Sequence, residues 1–485
     1  MNSRRTKEKL VHIINGYLER NGIIEKEASW EIRESTMGGF GIFAKKDIEV
    51  GEIIFHDLPI LFGPRCQVGT TTTTCIGCFS NSNLNKCINK CGLLLCQTCQ
   101  NSPNHYKDCT LIQRFRDGRD LGNSTSEVTR CLTPLRSLLL SEEDLEVVRN
   151  LKYHSGRQHG EEVRIIKEVL KLDLSEEVQE FLMFVCSIMD ANAFEVVAQH
   201  GDNQVSMRGL YPLGSLANHR CYPNATHMFD DKHRMVVRAS VFIKKDTEIF
   251  HSYLRLIWGT ITRMFHLRNT KHFICSCERC VDPTEFGTYM SAILCESCRG
   301  NVIPINPLKH SQWRCEDCQK AVPLKDVARV FSLIGSTLRG LDDSDFKYIY
   351  SFLTKKLTSM LPQYGEVIVE LKYKMIWILG YKEGYQWKDL TMDLLKLKRE
   401  YCQNILDLLK KLKIGQCHLR GLLLYEAYLC LEEMKLRQSS NVDEKVSDED
   451  SNGYLEEAAD ILRFSASAPE IIRQKWQSKG PNNND

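Results

Sequence analysis

Hydrophobic positions along the chain alternate between a helical and a strand period, and the changes of period divide it. Leu10, Val11, Ile14, Tyr17 and Leu18 lie at helical spacing within residues 8–21, an amphipathic lead-in helix. From Trp30 to Phe55 the pattern becomes short apolar runs broken by glycine. It predicts strand, turn at Gly38, Gly39 and Gly41, strand, turn at Val50-Gly51, strand. The helical period returns over 116–200, where 142–151 and 161–170 are amphipathic and 174–187 carries an apolar face. Glu248-Ile-Phe-His-Ser-Tyr253 reads as a short strand ending on a tyrosine, and 258–269 as a helix. From Val327 the pattern is helical nearly to the end. Phe331, Leu333, Ile334 and Leu338 are expected on one face, 390–412 has a long amphipathic period, and 418–434 is rich in leucine and alanine. No 34-residue repeat is evident, so stacked helices are expected without a formal repeat. The acidic, serine-rich stretch 439–453, with Asp443, Glu444, Asp448, Glu449 and Asp450, predicts a solvated loop. A last helix is expected from Tyr454 to Phe464, and disorder in the Asn482-Asn-Asn-Asp tail.

Composition narrows the class. At 485 residues the chain is too long for one core, so several domains are expected. A hydrophobic share of 42% and a charged share of 26% are those of an ordinary globular protein. The net charge of +2 gives no global electrostatic case for nucleic acid or membrane binding, and neither partner is expected. The N-terminus, Met-Asn-Ser-Arg-Arg-Thr-Lys, lacks the apolar core of a cleavable signal. The densest apolar run, 181–189, is too short to span a bilayer. An intracellular setting, cytoplasm or nucleus, is therefore expected, and in a reducing compartment the 21 cysteines read as metal ligands before disulfides.

Their spacing supports that. Cys75, Cys78, Cys87, Cys91, Cys96, Cys99, His105 and Cys109 offer eight soft ligands, the number two tetrahedral zinc ions require. With little apolar sequence between them, such a module folds only with metal bound. Cys275, Cys277 and Cys280 are one ligand short of a structural site. Cys295, Cys298, Cys315 and Cys318 form two Cys-x2-Cys pairs at zinc-ribbon separation. Cys66, Cys131, Cys186, Cys402, Cys417 and Cys430 are scattered in apolar surroundings and read as small buried hydrophobes.

The most unusual stretch is 209–224, containing Asn218-His-Arg-Cys-Tyr-Pro-Asn224. An amide, an imidazole, a guanidinium and a thiol in succession are expensive to bury without partners. They imply a polar ligand, a metal or a tightly threaded backbone. Asn218, His219, Cys221, Pro223 and Asn224, with Glu248 and Tyr253 downstream, resemble the two signature halves of a SET domain, the lysine methyltransferase fold. Arg220 departs from the serine usual there. Gly39-Phe40-Gly41-Ile42-Phe43-Ala44 resembles the N-terminal half of that domain, and the eight-ligand stretch resembles a MYND finger. A SET domain split by a MYND finger is the architecture of the SMYD family, and the chain resembles its arthropod-type, SmydA-like members.

The resemblance implies an α+β multidomain chain. It comprises an N-terminal helix (1–28), a SET N-terminal part (29–65), a MYND finger (66–115) and a helical insertion (116–200). A SET core with a pseudoknot (201–255), a post-SET zinc segment (256–290), a zinc-ribbon-like segment (291–322) and a tetratricopeptide-like helical domain (323–485) follow. In the finger it implies Cys75, Cys78, Cys96 and Cys99 on one zinc, and Cys87, Cys91, His105 and Cys109 on the other. Cys221 completes the post-SET site with Cys275, Cys277 and Cys280, which makes about four ions in all. S-adenosylmethionine is the implied cofactor, with Gly39, Phe40 and Gly41 cradling its methionine end and Asn192, Asn218, His219, Tyr253 and Phe273 in its pocket. By its residues alone, Asn192 reads equally as a helix cap, and Phe273 as core. Tyr253 is the implied catalytic residue.

The implied reaction is methylation of a lysine on a histone or non-histone protein by a monomer, with proline-rich peptides among the finger's partners. Two positions depart from the family. Lys271 stands where many members carry a tyrosine that shapes the lysine channel, and a cation there repels an incoming ammonium unless it turns outward. Arg220 adds a second positive group. A protein-binding transcriptional co-regulator that keeps the fold without the activity is the alternative.

Overall fold

The computed structural model describes residues 6–25, 27–64, 74–153, 160–200, 203–309, 312–339, 345–438 and 448–477. Cys66, threonines 70–73, the acidic stretch up to residue 447 and the polar tail lie outside them. Helix α1 (Lys7–Arg20) is capped by Thr6 and buries Leu10, Ile14, Tyr17 and Leu18, most of the predicted stripe. Strands β1 (Trp30–Glu34), β2 (Phe40–Ala44) and β3 (Ile53–Asp57) follow where the glycine-punctuated pattern put them, then β4 (Leu61–Pro64). Gly38 and Gly39 turn β1 into β2 at φ of +92° and +79°, a region costly for residues with a Cβ.

The cysteine-dense finger holds a small hairpin, β5 (Leu84–Lys86) and β6 (Leu94–Cys96), and leads into α2 (Pro103–Phe115). Helices α3 (Thr125–Arg136), α4 (Glu142–Arg149), α5 (Glu161–Arg164) and α6 (Glu176–Asn192) form the insertion, and α5 continues as a π-helical turn to Val169. Leu93 and Leu95 of the finger share a core with Ile112, Leu132, Ile166 and Leu182. Arg136 locks this unit to the domain: it grips both oxygens of Asp108 at 2.9 and 2.6 Å and donates to Phe62 O.

One correction falls at the end of this region. Residues 194–200, expected to be helical, form strand β7 (Phe194–His200), paired with β8 (Asn203–Leu210) and through it with β4. Asn192 ends the helical stripe, after which burial alternates: Val196 is buried and Val197 is 39% exposed.

The SET core continues with β9 (Asn218–His219), β10 (Ala225–Phe229), β11 (Met235–Ala239) and β12 (Glu248–His251). One sheet runs β1-β2-β12-β9 and another β10-β11-β3. The β9–β12 pairing is parallel, with Asn218 opposite Phe250 and His219 opposite His251. Asn224 fastens the crossing: its Nδ2 donates to Glu248 O at 2.9 Å and its Oδ1 accepts from Phe250 N at 2.7 Å. Helix α7 (Thr260–His266) ends in a π-helical turn, Leu267–Lys271, and His272 at φ +59° redirects the chain into α8 (Glu278–Val281). Strands β13 (Ile293–Leu294), β14 (Asn301–Pro304), β15 (Trp313–Cys315) and β16 (Ala321–Val322) form the ribbon.

Among the described residues seven helices follow: α9 (Leu324–Arg339), α10 (Phe346–Lys355), α11 (Glu366–Ile378), α12 (Met392–Lys411), α13 (His418–Gln438), α14 (Asp448–Leu462) and α15 (Glu470–Gln477). Two expectations change here. Leu333 is 56% exposed and does not share the face that buries Ile334. Residues 448–453, expected in a loop, form the first turns of α14, and α15 follows it. The fold is thus α+β and multidomain. Cys131, Cys186, Cys402, Cys417 and Cys430 are buried, in keeping with the apolar reading. Among the described residues no helix is long and apolar enough to cross a membrane.

The helical domain is organised around a buried ion pair. Lys398 Nζ lies 2.6 Å from Glu426 Oε2, donates to Leu379 O and sits over the Trp387 ring at 4.2 Å, while Tyr381 donates to Glu426 Oε1. Removing one partner strands the other charge. Glu426→Ala should cost about 3–5 kcal/mol, and Lys398→Met with Glu426→Leu should recover most of it. Urea midpoints test this; an unchanged midpoint for Glu426→Ala would refute it.

Candidate active site and metal centres

Glu248, at the start of β12, is buried and accepts from Asn218 Nδ2 at 2.7 Å and Ser35 Oγ at 2.9 Å. Asn218 Nδ2 also donates to Phe40 O at 3.2 Å. Both neighbours are acceptors, which forces the amide nitrogen inward and turns Oδ1 the other way. Gly41 makes room for this bond: a Cβ there would lie 2.2 Å from Glu248 Oε1 and 3.0 Å from Asn218 Nδ2.

Beside the bond lies a cavity of about 450 Å³. Gly39, Phe40, Asn192, Asn218, His219, Tyr253 and Phe273, expected together from the sequence, all line it. Gly41 does not line it; its place is behind the wall, against Glu248. Asn192 is both cap and wall, since its Nδ2 closes the last turn of α6 on Ile188 O and holds Lys152 O at 2.6 Å. Lys152, Ser215, Lys271 and His272 also line the cavity, and sequence reasoning assigned none of them to it. No local signal marks Lys152; only packing of the chain after α4 brings it there.

Tyr253 N donates to His219 Nδ1 at 3.0 Å, so the ring proton sits on Nε2, which faces Cys221 Sγ at 3.2 Å. Burial holds His219 down to about 3, a neutral ring. The Tyr253 hydroxyl donates to Ala217 O at 3.1 Å. Burial, then the Glu248 charge, push this phenol above its ordinary range, so it stays protonated. Phe273 meets Tyr253 and His219 edge-on, at 6.4 and 5.9 Å between centroids.

Four groups of soft ligands form: Cys75, Cys78, Cys96 and Cys99; Cys87, Cys91, His105 and Cys109; Cys221, Cys275, Cys277 and Cys280; and Cys295, Cys298, Cys315 and Cys318. Within each, the ligand atoms lie within 4.8 Å of one another. Three groups are all thiol and one joins three thiols to an imidazole. These donor sets are those of closed structural zinc sites, and they fit that ion. His105 Nδ1 faces Gln100 O at 2.5 Å, which leaves Nε2, 3.8 Å from Cys91 Sγ, as the ligand atom. Backbone amides of Cys298 and Ser297 bring Cys295 down to about 6, toward the thiolate a metal needs. Around Cys221, Arg263 donates to Cys280 Sγ, Arg279 to Cys221 O, and both pair with Glu285. Two buried guanidiniums against one carboxylate leave positive charge to balance a thiolate cluster.

The SET domain family model matches residues 39–254, which span the finger as well as the strands around the cavity. The chain is 30% identical over 430 residues to the SET domain-containing protein SmydA-8, isoform A, of Drosophila melanogaster, covering 86% of this chain and 92% of that protein. The chain belongs to the SMYD family. It is also 28% identical over 269 residues to histone-lysine N-methyltransferase ASHR1 of Arabidopsis thaliana, 50% of this chain and 53% of that one. Histone-lysine N-methyltransferase Smyd1 of Mus musculus matches at 25% over 291 residues, 54% and 58%.

In this SMYD chain a second cavity, of about 680 Å³, shares Tyr253, Lys271 and His272 with the first. Lys271 does not simply turn outward. Its Nζ donates to Ala191 O at 2.9 Å and Asp190 O at 3.1 Å, carbonyls of the last turn of α6, and lies 5.6 Å from the Tyr253 ring centre. Arg220 points elsewhere, stacked on Phe250 at 4.5 Å and Tyr222 at 5.0 Å, outside both cavities.

Gly41→Ala should destabilise the SET core by about 1–3 kcal/mol, since the added Cβ breaks the Asn218–Glu248 bond and leaves buried polar groups unsatisfied. In a Glu248→Ala background the same substitution should cost less than half as much. Equal penalties in the two backgrounds, read by chemical denaturation, would discard this account.

Proposed function

We propose that this SMYD protein is an S-adenosylmethionine-dependent protein-lysine N-methyltransferase. One observation carries the reading: two cavities share Tyr253, and we assign the first to the cofactor and the second to the acceptor. The names of the relatives ASHR1 and Smyd1, both histone-lysine N-methyltransferases, support it. The backbone of Gly39 and Phe40, the Oδ1 of Asn218, Asn192, His219 and Phe273 would hold the cofactor. When bound, that cofactor supplies a methyl group on a sulfonium for in-line transfer to a neutral amine.

The chain's own residues supply position and dryness. Tyr253 acts as a neutral phenol: anchored on Ala217 O and backed by His219, it offers ring and hydroxyl as a fixed wall between the cavities. Held protonated, it offers no phenolate to act as a base at neutral pH. Zinc in the four ligand groups would be structural, because every coordination position is filled by protein. The Cys221 group would then pin the segment carrying Lys271 and Phe273 over the cavity. The acceptor is a lysine on a protein, histone or non-histone. The finger would take peptides, proline-rich ones among them, and the chain would act as a monomer in cytoplasm or nucleus. Lys271 at the junction favours a second reading, a scaffold that binds proteins without methylating them.

Metal emission analysis of the purified protein should give about four zinc ions per chain. Cys221→Ser should lose one of them and expose the segment 271–281 to protease; a full complement of zinc in that variant would exclude Cys221 as a ligand.

Calorimetry should detect S-adenosylmethionine binding that Asn218→Ala weakens at least tenfold. Tyr253→Phe should keep binding and lose most transfer of labelled methyl to protein. No binding by the parent chain would leave the scaffold.

A further inference from the structure

Lys271 sits where two paths cross. It lines both cavities with Tyr253, and it is anchored from below: the carbonyls of Asp190 and Ala191 form the C-terminal end of α6, where the helix dipole favours a cation. The ring of Tyr253 adds a cation–π contact. The wide π-helical turn at Leu267–Lys271 and the left-handed His272 deliver it there. Tyr253, Lys271 and His272 are the residues that both cavities share.

We propose that Lys271 selects the uncharged form of the acceptor amine: as a fixed cation at the junction, it disfavours a second ammonium and promotes loss of the acceptor's proton. This rests on the methyltransferase reading above. The other charged groups on the second cavity's walls are Asp190, Glu195, Arg208 and Arg255. Asp190 lies 3.5 Å from Arg208, Glu195 accepts from Ser206, and Arg255 lies 3.5 Å from Glu370. His266 packs on Trp258, and His272 Nδ1 faces Arg268 O. His219 and His251, behind Tyr253, are held neutral by burial and contribute no charge. Two unit charges about 6 Å apart in a partly shielded site shift proton affinity by about two pH units, roughly a hundredfold. The acceptor's proton leaves to solvent before its nitrogen bonds the methyl carbon and the sulfur–carbon bond breaks. Only the cofactor proposed above and water are needed.

The test uses the full chain and two small probes, N-acetyl-lysine methylamide and its uncharged isostere N-acetyl-norleucine methylamide, titrated by NMR from pH 7 to 9.5. The parent should bind the lysine probe about tenfold better at the alkaline end and the norleucine probe equally throughout. Lys271→Met should bind the lysine probe about a hundredfold more tightly than the parent at pH 7, and Lys271→Arg should match the parent. Equal binding of the lysine probe by parent and Lys271→Met at pH 7, or binding of neither probe to any variant, overturns the proposal. Because no methyl transfer is needed, these outcomes are separable from failure of the enzyme reading, which shows as lack of S-adenosylmethionine binding. With an active enzyme, the alkaline rise of the rate should move up by about one to two pH units in Lys271→Met and stay in place in Lys271→Arg. An unmoved rise in Lys271→Met also overturns it.

Discussion

Glu248 accepts from Ser35, 213 residues away, and from Asn218, 30 residues away, while its own carbonyl takes a bond from Asn224. A buried carboxylate is tolerated only when hydrogen-bonded, so these contacts form together or not at all. The cavity depends on that condition. The glycine turn before β2, the short strand β9 and the strand leading to Tyr253 are each too brief to hold a shape alone. The shared carboxylate makes them one wall.

The same segment is held at its other end by sulfur. Asn218 and His219 pair with β12, and two residues later Cys221 joins the thiols of Cys275, Cys277 and Cys280. His219 joins these two constraints, receiving a bond from Tyr253 N and directing its other nitrogen at Cys221 Sγ. A change at the cysteine group therefore reaches the phenol through one ring. The paired guanidiniums of Arg263 and Arg279 suit a cluster that carries negative charge. In the helical domain Lys398 and Glu426 solve the opposite problem with a single matched pair.

Lys271 alters the usual balance of such a site without dismantling it. Its ammonium is held by two helix carbonyls beside the Tyr253 ring. Arg220, the other departure from the motif, spends its charge on two aromatic faces away from the cavities. The two cations, equally suspect by position in the sequence, differ in place: Lys271 borders both cavities and Arg220 borders neither.

Patterns that act over a few residues were legible from the chain alone. Cysteine spacing marked the eight-ligand stretch, the incomplete trio and the two Cys-x2-Cys pairs, while the family resemblance implied the grouping in the finger and the union of Cys221 with the trio, groups whose ligand atoms lie together. Glycine punctuation gave β1 to β3, and the helical period gave α1, α12 and α13. The family resemblance named Gly39, Phe40, Asn192, Asn218, His219, Tyr253 and Phe273, which line one cavity. Tertiary structure decided what depends on distance in space. Gly41 looked like a cradle for a ligand and proved to be room for Glu248. Residues 194–200 read as helix until pairing with β8 and burial of one face made them a strand. Residues 448–453 read as a solvated loop and form the first turns of α14. The place of Lys271 follows from a π-helical turn and from carbonyls eighty residues earlier, and no periodicity encodes contacts at that separation.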